Sequence, residues 1–139
     1  MAKNAVIIGA GNIGRGFIGQ IMYEGGYNVC YVDVSAPVVD ELNRRGEYPL
    51  EIVYSGGSDK ETIKNVSAVN GNDHDAAARA IADCDICVTC VGAKAIKYII
   101  PNFVLGVKLR FKEGKGPINL LICENLMDAD KYIHSLLEP

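Results

Sequence analysis

Residues Ala5 to Gly16 read AVIIGAGNIGRG and limit the fold more than any other stretch of the chain. Four apolar residues, Ala5 to Ile8, lead straight into Gly9-x-Gly11-x-x-Gly14. Ile13, Phe17, Ile18, Ile21 and Met22 then recur at helical spacing, which predicts one apolar helix face. The pattern is a strand, a tight turn and a helix N-terminus. Gly9 makes the turn, Gly11 lets a ligand approach the backbone, and Gly14 lets helix and strand close together. Unpaired amides at the helix start, with the positive end of its dipole, suit a pyrophosphate. The candidate cofactor-binding residues here are Gly9, Ala10, Gly11, Asn12, Ile13, Gly14 and Arg15. Arg15 reads equally well as a partner of the pyrophosphate or as a solvent-facing cation.

The surrounding sequence meets the demands of that motif. Gly25-Gly26 stops the helix, and a second apolar run, Tyr27 to Val32, ends in Asp33, 19 residues beyond Gly14. An acid about 20 residues past the last glycine is placed to accept hydrogen bonds from an adenosine ribose. A carboxylate there repels a 2′-phosphate, Val34-Ser35-Ala36 offers no cation to reverse this, and Arg44 and Arg45 come about three helical turns later. NAD is therefore expected over NADP. A structural glycine turn with an incidental acid is the bland alternative, which the coincidence of these elements disfavours.

The rest of the chain alternates strand and helix. A helix is expected from Ser35 as N-cap, with Pro37 in its first turn, to Gly46. A hairpin near 48–64 turns at Ser55-Gly56-Gly57-Ser58. Then come a strand Val66 to Val69, a helix Asp73 to Ala82, and a strand Ile86 to Val91 ending at Gly92. Lys94 to Phe111 is expected to be helical but kinked or interrupted at Pro101, and is followed by a strand Ile118 to Cys123 and a closing helix Met127 to Leu137. This order predicts an α/β fold, a Rossmann-type doubly wound and mainly parallel sheet with helices on both faces and a small hairpin insertion. Ligands of such sheets bind beyond the carboxyl ends of the strands. The glycine turn, Asp33, Val91-Gly92 and Glu124-Asn125 should meet there, which adds Val91 and Gly92 to the cofactor-binding candidates.

At 139 residues the chain suits a single domain, and a net charge of −3 disfavours a broad nucleic-acid or anionic-membrane surface. One lysine and a four-residue apolar run before the first glycine do not make a secretory signal, and no apolar stretch is long enough to span a bilayer. A cytoplasmic setting is expected. Among the five cysteines, Cys84-x-x-Cys87-x-x-Cys90 has metal-ligand spacing. Cys87 and Cys90 fall in a strand, however, where residues three apart point to opposite faces. No metal site is expected, and Cys30 and Cys123 read as small hydrophobes.

The string GAGNIGRGFIG, Gly9 to Gly19, with Cys123-Glu124-Asn125-Leu126, resembles the polyol-specific long-chain dehydrogenases of the mannitol dehydrogenase family. The resemblance runs along essentially the whole sequence. It implies that residues 1–139 are an NAD-binding Rossmann domain and that the family's helical, C-terminal catalytic domain is absent from this chain. It further implies a sugar-phosphate substrate, with mannitol 1-phosphate and fructose 6-phosphate interconverted by hydride transfer. Asn125 is implied as a catalytic donor to the substrate's reacting oxygen; Glu124 receives no catalytic role. The family's Lys-x4-Asn-x2-His signature is missing. Lys60 and Asn65 are followed by Ala68, and Lys97 and Asn102 by Leu105, where histidine is required. His74 and His134 read as solvated surface residues, so the fragment alone is expected to be inactive. The alternatives are a stand-alone dinucleotide-binding or sensor module, or the cofactor domain of a hexuronate or free-mannitol dehydrogenase.

Overall fold

The computed structural model describes residues 3–11, 14–92, 95–124 and 128–137. Strand β1, Lys3–Ile8, is apolar on both faces because both are covered. Ala5 and Ile7 pack into one layer and Val6 and Ile8 into the other. Around it lie β2 (Tyr27–Asp33), β5 (Val66–Asn70), β6 (Ile86–Thr89) and β7 (Asn119–Ile122) in the order β5-β2-β1-β6-β7. Every pairing in this sheet is parallel. The chain works outward from β1 to β5, then returns to the other side at β6, which puts a crevice at the carboxyl ends of β1 and β6.

A π-helical turn, Gly14–Ile18, continues into α1 (Gly19–Glu24). With α2 (Ala36–Arg45) it covers one face through Ile18, Met22, Val39 and Leu42. The expected apolar stripe is corrected here: Ile18 and Met22 are buried, but Phe17 and Ile21 are 57% and 48% exposed. Ile13 lies outside the described residues. The wider π turn rotates Phe17 away from the sheet, and no described element covers it. Ser35 stands at the N-cap of α2 without a side-chain capping bond; its amide instead donates to Asp33 Oδ1 at 2.8 Å.

The opposite face carries α3 (His74–Asp83) and α4 (Ile96–Lys112), and α5 (Ala129–Leu137) packs against α4. The helix expected to be kinked or interrupted at Pro101 is not interrupted there. Proline sits in its second turn and α4 runs on for 17 residues, held by Ile100, Phe103 and Gly106 facing inward. At the far ends of α3 and α4, Arg79 pairs with Glu113 and, at 3.1 Å, with Asp83, and Lys115 pairs with Asp83. Arg110 Nη1 donates to the Ala82 and Cys84 carbonyls at 2.9 and 2.7 Å.

Strands β3 (Glu47–Tyr54) and β4 (Gly57–Lys64) form a separate antiparallel hairpin, tighter than expected because Tyr54 pairs with Gly57. Tyr48 and Ile63 lie opposite one another and turn into the core layer beneath α1. Cys87 is buried in the α3–α4 layer and Cys90 packs in the other, so the two thiols face opposite sides of the sheet. Among the described residues no helix is long and apolar enough to cross a membrane, and no group of metal-ligating side chains is gathered.

Candidate functional site: a cleft at the switch in strand order

Gly9 adopts φ +114°, a backbone conformation that favours glycine, and its amide donates to the Val32 carbonyl at 2.8 Å. The turn is thereby tied to the tip of β2. A Cβ on Gly14 would overlap the Gly9 carbonyl oxygen, so the helical stretch starts against the turn itself. A Cβ on Gly11 would meet nothing within 4 Å, and this part of the backbone opens onto a cleft of about 680 Å³. Gly9 thus makes the turn and Gly14 permits the close approach of helix and turn.

Asp33 joins the two walls of the cleft. Its Oδ2 accepts from the Ala10 amide at 2.8 Å and its Oδ1 from the Ser35 amide at 2.8 Å. Two backbone donors hold the carboxylate in one orientation, and each oxygen keeps a lone pair for a further donor. The tips of β1, β2, β5 and β6 contribute Gly9 and Gly11, Asp33 and Val34, Gly71 and Asn72, and Cys90 and Val91. No lysine or arginine is among the described residues lining this space. Cys90 Sγ donates to the Gly9 carbonyl at 3.3 Å, and burial, reinforced by nearby Glu124, pushes this thiol up to about 12.

Three other sequence candidates have further surroundings in the structure. Gly92 and Val91 do follow β6, but their amides donate to Glu124 Oε1 at 2.8 Å and Oε2 at 3.1 Å. The acid left without a role therefore ties the end of β7 to the end of β6. Arg15 is not brought to the cleft with Asp33. It lines a neighbouring cleft of about 530 Å³ with Glu41, Arg45 and Glu47, and its buried Nε has no hydrogen-bond partner among the described residues. Asn12 and Asn125 lie outside the described residues, as does Ile13.

Beneath the glycine turn, Tyr48 Oη donates to the Arg15 carbonyl at 2.6 Å and Tyr31 Oη to that of Gly14 at 3.2 Å. The two hydroxyls are 2.7 Å apart, and burial raises both phenols above their ordinary range. A Cβ on Gly19 would overlap both oxygens, so the last glycine of the string makes room for this pair.

Sequence reasoning missed the far end of the cleft. His74 is not simply solvated: its Nδ1 lies 2.6 Å from Asn102 Oδ1, and both residues line the cleft with Tyr98. Asn102 is a buried polar residue on a helix that otherwise turns apolar side chains inward, which was the available signal.

Comparison with known proteins agrees with this geometry. The family model described as "Mannitol dehydrogenase Rossmann domain" matches residues 3–138. A mannitol-1-phosphate 5-dehydrogenase of Brevibacillus brevis is 41% identical over 129 residues, covering 93% of this chain and 33% of the relative. The enzyme of the same name from Thermoanaerobacter pseudethanolicus is 38% identical over 135 residues, covering 96% and 34%. The chain spans about a third of the length of these curated relatives. A solved structure titled as a putative 2-dehydropantoate 2-reductase from Enterococcus faecalis superposes with a TM-score of 0.61 at 16% identity, covering 97% of this chain and 36% of that one; this likeness concerns the fold alone. Glycine turn, acid-tipped second strand and matched family model together establish that the chain belongs to the mannitol dehydrogenase Rossmann domain family.

Proposed function

We propose that this chain binds NAD(H) as the cofactor half of a dehydrogenase whose whole form interconverts mannitol 1-phosphate and fructose 6-phosphate. The observation that carries the reading is Asp33, clamped between the Ala10 and Ser35 amides at the floor of a cleft that opens over Gly11. The residues present fit a dinucleotide. Gly9, Gly11 and Gly14 shape a backbone surface for the pyrophosphate, and Asp33 has lone pairs free for ribose hydroxyls. A cleft with a carboxylate and no cation among its described lining residues favours NAD over the more anionic NADP.

NAD, when bound, supplies the hydride acceptor at its nicotinamide ring. The chain's own residues bind and orient. Asp33 fixes one end, Val91 lines the opposite wall, and Glu124 holds the Val91-Gly92 backbone in place. Asn125, immediately after Glu124, is proposed to donate to the substrate oxygen, a role worth on the order of 10²–10³ in rate where it operates. The general base would come from a second, catalytic domain carrying Lys-x4-Asn-x2-His. Phe17, Ile21 and Leu121, 57%, 48% and 43% exposed, supply apolar surface for such a domain and favour this reading over a stand-alone sensor.

Isothermal titration of the chain with NAD and with NADP tests the proposal. NAD should bind at least about tenfold more tightly, because the extra phosphate meets the Asp33 carboxylate. Equal binding refutes the NAD assignment, and no binding of either refutes the cofactor reading. The chain alone should not reduce NAD in the presence of mannitol 1-phosphate; turnover would refute the need for a second domain.

A further inference from the structure

Past Asp33 and Val34, the cleft ends in a corner built from the tip of β5, the start of α3 and one face of α4. Asn102 is 4% exposed there, and its Nδ2 donates to the Gly71 carbonyl at 2.8 Å. A carbonyl only accepts, so this bond fixes which end of the amide is which. Oδ1 is left facing His74 Nδ1 at 2.6 Å and cannot itself donate. The proton of that contact therefore sits on Nδ1, and neutral His74 presents Nε2 as a lone-pair acceptor. The imidazole is exposed and lines the cleft, while Val34 and Tyr98 at the same end are 66% and 71% exposed. Large exposed side chains beside a directional acceptor suit a flat heteroaromatic base that carries an amino group.

We propose that His74, locked by Asn102 as the Nδ1–H tautomer, determines specificity for a 6-aminopurine at the distal end of the bound dinucleotide, Nε2 accepting from the exocyclic amine. This rests on the dinucleotide reading above. Asp33 holds the ribose, and Val34, the next residue, flanks the base attached to it. A 6-oxopurine would set a carbonyl oxygen against the Nε2 lone pair and leave both without a donor. Asn102 is a positioning residue in this arrangement, because it touches His74 and not the base.

The test titrates the chain at about pH 8 with NAD and with nicotinamide hypoxanthine dinucleotide, which differs only by an oxo group in place of the 6-amine. The wild-type chain should bind NAD on the order of tenfold more tightly, as expected when a hydrogen bond is replaced by two opposed acceptors. His74→Phe keeps an aromatic ring at an exposed site but removes the acceptor, and should bind the two dinucleotides with comparable affinity. Absence of discrimination in the wild type, or its persistence in His74→Phe, overturns the role of His74 while NAD binding leaves the cofactor reading intact. Failure of both dinucleotides to bind the wild type overturns both.

Discussion

Replacing Tyr48 by phenylalanine tests whether the β3–β4 hairpin braces the glycine turn. Two hydroxyl protons serve three contacts beneath the turn. The shortest, 2.6 Å from Tyr48 Oη to the Arg15 carbonyl, takes the Tyr48 proton. The Tyr31 proton is shared between Tyr48 Oη at 2.7 Å and the Gly14 carbonyl at 3.2 Å. Tyr48→Phe removes two of these contacts and deprives the Arg15 carbonyl of a phenolic donor. At about 1 kcal/mol for each buried neutral hydrogen bond, the loss is about 2 kcal/mol. Tyr31→Phe also removes two contacts, but both draw on the one shared Tyr31 proton and the shortest contact is left standing, so it should cost about 1 kcal/mol. Because burial raises both phenols, the two hydroxyls remain protonated through the neutral range and the cost should not vary there with pH. Urea unfolding followed by far-ultraviolet circular dichroism reads the effect. With a slope of about 1–2 kcal/mol/M, Tyr48→Phe should lower the midpoint by about 1 M or more. A loss under about 0.5 kcal/mol, or a larger loss in Tyr31→Phe than in Tyr48→Phe, would refute the proton assignment and the bracing role with it.

The remaining expectations concern charge and thiols. Asp33→Ala releases the Ala10 and Ser35 amides and should erode the preference for NAD over NADP to near parity, read by titration calorimetry; an unchanged ratio would exclude Asp33 as the discriminating group. Glu113 is held down to about 2, first by its hydrogen bond to Arg79 and then by Lys115. A depressed carboxyl contributes stability above its unfolded pKa and loses it as pH falls toward 2. Acid unfolding of Glu113→Gln should therefore be shallower between about pH 4.5 and 2 than that of the wild type, and parallel curves would show that the cluster contributes nothing. Burial pushes the Cys84 thiol up to about 12 and raises Cys87 as well, so a disulfide reagent at about pH 8 should label neither until urea unfolds the chain; rapid labelling of the native protein at either position, mapped by mass spectrometry, would contradict their placement.

Much of this architecture was legible because short-range patterns dictated it. The runs at Ala5 to Ile8 and Tyr27 to Val32 are apolar on both faces, as strands covered on both sides must be, and Gly9, Gly14 and Asp33 owe their spacing to the turn they build. What could not be read depends on partners distant in sequence. Phe17 and Ile21 fit a helical stripe, but periodicity does not say whether anything covers it or that the first turn is π-helical. Pro101 signals a break, yet the packing of Ile100, Phe103 and Gly106 carries α4 through it. Glu124 gave no hint of its use because it accepts from backbone amides 32 and 33 residues away. Asn102 was considered only for its spacing from Lys97, whereas its role comes from Gly71 and His74, on another wall of the cleft.

The Glu124 clamp has a consequence for how quickly a ligand is taken up. Both carboxylate oxygens are engaged by successive amides beyond β6, so the ends of β6 and β7 form one mechanical piece. That wall of the cleft does not have to be assembled around an arriving molecule. The entropy of ordering it is spent during folding, when the strands pair, and the ordering cost at the moment of capture falls accordingly. Cutting the clamp would shift that cost onto association. The on-rate would fall, while the contacts in the filled cleft, and with them much of the residence time, would be retained.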